Sequence, residues 1–261
     1  MATYKYLLTN GNRELAADGI FTWSLPALAA KLENGSNFLT CPQAGACAQL
    51  CYARSGTYNF SNVKRAHTKN LELILDDLEG WKQAMLAELN LKRYLPTGNP
   101  VPFYPLLTWH SLTDYQKVWA NNGGKAVRIH DSGDFFSIEY FNAWVQIAAK
   151  TPWVLFYAYT KEVAMTKEFE LPENLILIYS MGGKQDGLIN IEKDRHADVF
   201  PSLDALVLAG YTDQEHCDIL AALLPTPKIG IVVNNIKHLK KKQGQETFGS
   251  IQKNRNGSIT I

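Results

Sequence analysis

The sequence predicts an α/β fold with parallel strands, either an open or incomplete (β/α) barrel or, as the alternative, a doubly wound open sheet. Two observations predict this class: buried Val/Ile/Leu-rich runs recur through the second half of the chain, and helical patterns separate them. The 261 residues show no repeat of fixed period and no Pro/Ser/Gly-rich linker. We therefore expect a single domain over residues 1–261.

Each strand is predicted from an apolar run that ends in polar residues or glycine. The predicted strands are 18–27, 125–135, 153–161, 174–184, 204–210 and 228–234. Between them, 137–152 reads as a helix with Ser137 as N-cap and Glu139 in its first turn, and 213–225 reads as a helix that ends at Pro225.

Two further segments differ from this rhythm. Residues 61–94 are helical throughout, with a break near Gly80, and belong to a helical insertion at about 61–122. Residues 238–261 form a basic, polar C-terminal tail, which we expect to be a solvated helix end or a frayed terminus.

Charge and hydropathy exclude several classes of protein. Lys and Arg number 26 against 25 Asp and Glu, a net charge of +1, so overall charge does not indicate a dedicated binder of nucleic acid or membrane surfaces. No apolar run reaches the length of a membrane span, and the start lacks the pattern of a secretory signal. We therefore expect a cytoplasmic protein with reduced thiols and no membrane partner.

Three of the four cysteines lie within one short segment, TCPQAGACAQLCYARSG, with the spacing Cys41-x5-Cys47-x3-Cys51. Small residues and Pro42 let such a segment wrap an inorganic cofactor, and soft thiolates suit iron–sulfur clusters. We predict that the three cysteines bind a cluster, with 4Fe-4S as the expected type. The remaining cysteine, Cys217, is either the fourth ligand or a small core residue, and His216 or His238 could replace it as ligand. Zinc and a single catalytic cysteine are the other interpretations of the segment.

Polar residues at the ends of two predicted strands suggest a pocket for a substrate or cofactor. They are Arg128, His130, Asp131, Ser132 and Asp134 in RIHDSGDF, and Lys161 in AYTK. Strand alternation predicts that Arg128 and His130 share one face, and buried residues of these types need partners. Asp131 and Asp134 could instead cap the following helix. Lys161 and Lys184, at successive strand ends, suggest an anionic ligand.

FTWSLPA, TCPQAGACAQLCYARSGTY, RIHDSGDFFSIEYFNAWVQIAAKTP and FYAYTK together resemble the phage-encoded gene product 88 family, over roughly residues 5–240. The resemblance implies a cysteine-bound metal centre on an α/β scaffold, in the host-cell cytoplasm if phage-encoded. Members often carry further cysteines in the C-terminal third, where this chain has only Cys217. The arrangement is also similar, at a distance, to radical S-adenosylmethionine (SAM) enzymes, although their usual loop is C-x3-C-x2-C. That second similarity implies SAM as a further cofactor.

The interpretation that unites these observations is an iron–sulfur protein with a redox or radical-type role. The sequence leaves its reaction and its enzymatic status open, and its partner would be an electron donor or a small-molecule substrate. A zinc-stabilised nucleic-acid-binding module is the alternative.

Overall fold

The structure, a computed structural model, describes residues 6–10, 15–16, 18–101, 109–214 and 217–257. Within these ranges the strands are β1 (Ile20–Trp23), β2 (Ala29–Lys31), β3 (Asn37–Leu39), β4 (Lys125–Ile129), β5 (Val154–Thr160), β6 (Leu175–Ser180), β7 (His196–Phe200), β8 (Thr212–Asp213) and β9 (Lys228–Val232). The helices are α1 (Cys47–Leu50), α2 (Ser61–Asp76), α3 (Leu78–Leu89), α4 (Asp114–Asn121), α5 (Ile138–Lys150), α6 (Val163–Thr166), α7 (Leu203–Leu208), α8 (Leu220–Leu223), α9 (Lys237–Gln243) and α10 (Phe248–Gly257).

Seven strands form one parallel sheet in the order β1-β4-β5-β6-β7-β9-β8, and β2 and β3 form a separate antiparallel pair. The predicted α/β fold with a parallel sheet is confirmed. Strand order follows chain order except at the last pair, as in an open or incomplete (β/α) barrel. The reversal in mid-sheet that defines the doubly wound alternative is not seen among the described strands. No helix in the described part of the chain is long and apolar enough to cross a membrane.

Alternation along the central strands divides the interior into two apolar clusters, one on each face of the sheet. On β5, Phe156 and Ala158 face the cluster that contains Trp81 of α3 and Trp144 of α5. Leu155 and Tyr157 face the other cluster, which includes α8 and the adjoining residues up to Leu224. Both faces of the sheet are therefore covered, which explains the continuous apolar runs in the sequence.

The fourth strand of the second half is not where the sequence predicts it. Residues 204–210 were expected to be a strand, but α7 occupies 203–208, because Ser202 caps it by accepting from the backbone N–H of Ala205 at 3.2 Å. The strand in this part of the sheet is β7, which was not predicted because its sequence contains polar residues. One of them, Asp198, is buried and accepts from Gly249 N at 3.0 Å. A buried carboxylate with a distant backbone partner breaks the apolar pattern that sequence reasoning depends on.

The remaining boundaries differ in detail. The long helical segment breaks at Asp77 rather than near Gly80, because the Asp77 carboxylate caps α3 by accepting from Gly80 N at 2.8 Å. The predicted helix at 213–225 is shorter, with α8 spanning four residues, and residues 215 and 216 of that prediction lie outside the described residues. The C-terminal tail is not frayed over its described part: it forms α9 and α10, and α10 packs against β7.

Candidate functional site

The cysteine segment crosses the carboxyl end of the parallel sheet. It follows the β2–β3 pair and is fixed at its start by the Thr40 hydroxyl, which donates to Pro26 O at 2.6 Å. Ala44 then forms a β-bridge with Gly183, just after β6, and Cys47 N donates to Gly182 O at 3.1 Å. The backbone of the segment is therefore attached to the strand-end loop that follows β6, where chemistry in parallel α/β proteins is concentrated.

The C-terminal helix α10 holds the same segment from the other end of the chain. The buried Gln252 accepts from Ala46 N at 2.6 Å through its side-chain oxygen, and Arg255 donates to the Gln49 side chain at 2.7 Å. Nothing in the polar C-terminal sequence distinguished Gln252 from a surface residue, so this contact was missed. A buried backbone N–H that depends on a residue 206 positions away ties the cysteine segment to the end of the chain.

None of the four cysteines, all of which the structure describes, is in a disulfide, and Cys41, Cys47 and Cys51 are half-buried. Burial, with a contribution from the negative charge of Asp134, raises the pKa of Cys41 to about 12. Burial also raises the pKa of Cys51. Without a metal, these two thiols are therefore protonated at neutral pH, and a metal ion that binds them would have to displace their protons.

Lys161, directly after β5, interacts electrostatically with Cys41, Cys47 and Cys51. Its ammonium donates to the Ser180 hydroxyl at 2.8 Å, and its stem packs beside Gly183, the residue paired with Ala44. Burial alone would lower the pKa of Lys161, but negative charge on Cys47, and then on Asp134, raises it overall. The predicted pocket residue Lys161 is thus brought to the cysteine segment.

Asp134 is held beside Lys161 by a complete set of donors. Its carboxylate accepts from the Thr160 hydroxyl at 2.6 Å, from Lys161 N at 3.0 Å and from Phe135 N at 2.8 Å. Burial nevertheless raises its pKa. The alternative role, capping α5, falls instead to Ser137, which accepts from Tyr140 N at 3.2 Å.

The Gly182–Gly183 turn is an anion-binding nest, and the protein fills it itself. The Asp186 carboxylate accepts from both backbone N–H groups at 2.8 Å. Lys184 donates to Pro42 O at 2.8 Å and so supports the cysteine segment. Of the two lysines expected at strand ends, Lys161 interacts electrostatically with the thiols and Lys184 holds the backbone of the cysteine segment.

Arg128 lies in a second polar group. This group is on the face of the sheet that carries Leu155 and Tyr157, which we call the inner face; the face that carries Phe156 and Ala158 is the outer face. It contacts Asp218 at 3.2 Å and Asp131 at 3.6 Å and donates to the Tyr52 hydroxyl at 3.2 Å. Tyr157 donates to Asp218, and Tyr58 donates to Asp131. Because Tyr52 follows Cys51 directly, this group attaches the end of the cysteine segment to β4. The roles of Asp218 and Tyr157 were not predicted from the sequence.

The prediction that His130 shares a face with Arg128 is wrong. His130 has a left-handed φ of 65°, which ends the strand alternation, so its ring turns into the aromatic cluster on the outer face. There its Nε2 lies 2.8 Å from the Tyr140 hydroxyl, and burial lowers its pKa to about 3. Ser132 donates to Leu25 O at 2.6 Å, a structural contact.

Cys217 packs in the apolar cluster of the inner face, with Leu220 and Ile178 among its members. Of the two alternative histidine ligands, His238 lies 3.4 Å from the Ser55 hydroxyl, and His216 is outside the described residues. Across the described ranges, no three His, Cys, Asp or Glu side chains are arranged as a ready metal site. The metal ligands therefore stay a prediction.

Fold and site together define a class: an α/β protein whose parallel sheet carries a reduced three-cysteine segment at its carboxyl end. A sequence model of the gene product 88 family matches residues 6–257, so the chain belongs to that family. A curated relative, the Gene 88 protein of Mycobacterium phage L5, is 29% identical over 152 residues, which are 57% of this chain and 54% of the relative. The chain thus spans about half the length of that relative. No solved structure matches the chain. These comparisons do not show the likeness to radical SAM enzymes.

Proposed function

We propose that this phage-family protein binds an iron–sulfur cluster through Cys41, Cys47 and Cys51 and serves a redox or radical-type reaction in the host-cell cytoplasm. The observation that carries the proposal is the placement of three free, half-buried thiols in one segment that is fastened across the carboxyl end of the sheet. Thiolates are the ligands that iron–sulfur clusters use, with four-iron clusters the expected type.

Thiolates are suitable ligands for a cluster, although among the described residues the three side chains do not form a ready metal site. The backbone of the segment is fixed by Gly182, Gly183 and Gln252, whereas each thiol turns about a single side-chain bond. Under this proposal, assembly includes rotation of the three side chains and release of their protons. Lys161 supplies the positive charge that a thiolate-bound cluster needs nearby.

The position of Cys217 favours a cluster with three protein ligands. Its side chain packs among aliphatic residues in the apolar cluster that includes Leu155 and Tyr157, as a cysteine does when it acts as a small hydrophobic residue. Three ligands leave one iron open to a substrate or a second cofactor. SAM would be one such ligand, and this part of the proposal rests only on the distant similarity of the cysteine segment to that of SAM enzymes.

The test is anaerobic purification followed by iron, zinc and acid-labile sulfide analysis and electron paramagnetic resonance after reduction. We expect iron and sulfide in wild-type protein and their loss in Cys41→Ser, Cys47→Ser and Cys51→Ser. Stoichiometric zinc without sulfide would replace the proposal by a zinc-stabilised module. Protein that holds neither metal, even after reconstitution with iron and sulfide, would refute both.

A further inference from the structure

Charge is strongly segregated along this nearly neutral chain. Residues 41–71 contain four basic residues and no acidic one, and residues 232–257 contain six basic residues and one acidic one. Of the 26 basic and 25 acidic residues overall, 16 basic and 24 acidic ones remain for the rest of the chain. The net charge of +1 therefore conceals two basic segments in an otherwise acidic protein.

The fold brings these two segments together around the cysteine segment. Helix α9 packs against α1, and His238 of α9 lies 3.4 Å from the Ser55 hydroxyl. Arg255 of α10 donates to the Gln49 side chain at 2.7 Å, and Arg54 donates to Ala48 O at 3.1 Å. We call the exposed cations of this region the basic rim: Arg54, Lys64, Arg65, Lys237, Lys240, Lys241 and Lys242.

The cations of the basic rim are available to a ligand. Within the described ranges none of them forms an ion pair with a carboxylate, whereas lysines elsewhere, such as Lys167 with Asp194 at 2.5 Å, do. Like charges placed side by side repel each other, and a polyanion relieves that repulsion while releasing its own counterions.

An exposed aromatic side chain lies close to some of these cations in the sequence. Phe60 is 59% exposed and lies between Arg54 and Lys64 in the sequence, at the residue before α2 begins. Exposed aromatic rings next to Lys and Arg are the usual platform on which unpaired bases stack, because every base offers a π-face. A duplex keeps its bases stacked inside and cannot use such a ring without being opened.

We propose that the basic rim binds single-stranded nucleic acid, with phosphates on the lysines and arginines and a base stacked on Phe60. The surface places such a strand beside the cysteine segment. Overall charge did not indicate this partner, because the acidic remainder of the chain cancels the basic segments. The inference does not depend on which metal the cysteines hold.

The experiment measures fluorescence anisotropy of a labelled single-stranded DNA, with a hairpin duplex of the same composition and anionic vesicles as parallel probes. Salt is varied between about 50 and 200 mM. Lys240→Glu/Lys241→Glu is compared with Lys150→Glu/Lys193→Glu, a pair of exposed lysines outside the two segments that gives the same change in charge. Phe60→Ala tests stacking, and circular dichroism confirms that each variant folds.

We expect wild-type protein to bind single strands more tightly than duplex. The Lys240→Glu/Lys241→Glu variant should bind single strands about tenfold or more weakly, and the slope of log affinity against log salt concentration should fall in magnitude by about two. Phe60→Ala should weaken single-strand binding about fivefold or more, as loss of one stacked base predicts. Equal losses in the rim and control pairs would overturn the proposal. So would absence of binding to single strands, preference for duplex, or binding to vesicles alone. If the wild-type protein holds no metal but still binds single-stranded DNA, only the function proposed for the cysteines would be refuted.

Discussion

The contact between the cysteine segment and α10 makes a strong prediction for Gly45→Ala. A Cβ at position 45 would lie 2.1 Å from the Gln252 side-chain oxygen and 2.9 Å from Gly182 O, both closer than atoms can approach. The flexible Gln252 amide can retreat, but retreat breaks its 2.6 Å hydrogen bond with Ala46 N. Gly182 O is backbone and also accepts from Cys47 N, so it cannot yield without moving the segment.

The magnitude follows from these two effects. Overpacking a well-filled site costs about 1–3 kcal/mol, and leaving a buried N–H without its acceptor costs about 1–3 kcal/mol. We therefore expect Gly45→Ala to lower the free energy of unfolding by about 2–6 kcal/mol. Gln252→Ala alone should lower the free energy of unfolding by about 1–3 kcal/mol, because it removes only the hydrogen bond to Ala46 N. In the double variant the Gln252 oxygen is absent and no longer clashes with the added Cβ. The combined loss of stability should therefore be clearly smaller than the sum of the two single losses.

The assay is urea denaturation followed by circular dichroism, on metal-free protein so that cofactor loss does not enter. Gly187→Ala is the matched control, because a Cβ there meets no atom within 4 Å. Metal content of each variant, measured separately, reports whether the cysteine segment keeps its geometry. Equal stability of the Gly45 and Gly187 variants, or strict additivity in the double variant, would refute the proposed contact.

Three further predictions concern single side chains. His130 stays neutral when folded, with its pKa lowered from 6.5 to about 3, so protons bind the unfolded state preferentially and stability should fall from pH 6.5 downwards. His130→Asn, which tolerates the left-handed φ, should reduce that slope by up to about 1.4 kcal/mol per pH unit in denaturation at pH 4–6; unchanged slopes would contradict it. In cluster-loaded protein, Lys161→Met should lower the reduction potential because a positive charge that favours the reduced state is lost, while Lys184→Met should leave it nearly unchanged; equal potentials in spectroelectrochemical titration would argue against this placement. Cys217→Ala should retain iron and sulfide and lose about 1 kcal/mol of stability, whereas loss of the cluster would make Cys217 its fourth ligand.

The sequence predicted the sheet well where apolar runs are continuous and less well where polar residues are buried. The predictions around β4, β5, β6 and β9 are confirmed. β4, β5 and β6 contribute apolar residues to the clusters on both faces of the sheet, which explains their continuous apolar runs. β7 was missed because Asp198 finds its partner in α10, about fifty residues away, and no local pattern reveals such a pair. Propensity also misassigned α7, whose apolar sequence resembles a strand but whose Ser202 cap starts a helix.

For the site, spacing alone suggested that the three cysteines act together, and that role stays a prediction. The structure adds that Lys161, which follows a predicted strand, interacts electrostatically with Cys47 and Cys41. Two features could not be predicted. One is the left-handed backbone at His130, which reverses the direction of a side chain that alternation assigned to the pocket. The other is Gln252, which looks like any surface glutamine until the fold brings it to Ala46. Both depend on tertiary contacts that a single sequence does not encode locally.

Because Gln252 contacts Ala46, α10 supports the cysteine segment, a role that the polar composition of this helix does not suggest. One face of this helix contacts the cysteine segment through Gln252 and Arg255, and its start contacts β7 through Gly249. Its exposed Lys253 and the neighbouring α9 extend the positive charge beside that segment. This polar, basic segment therefore has one role that its contacts show and a second one that we propose. The buried amide fixes the backbone that carries the thiols, and the lysines provide the charge that would draw a polyanion to them.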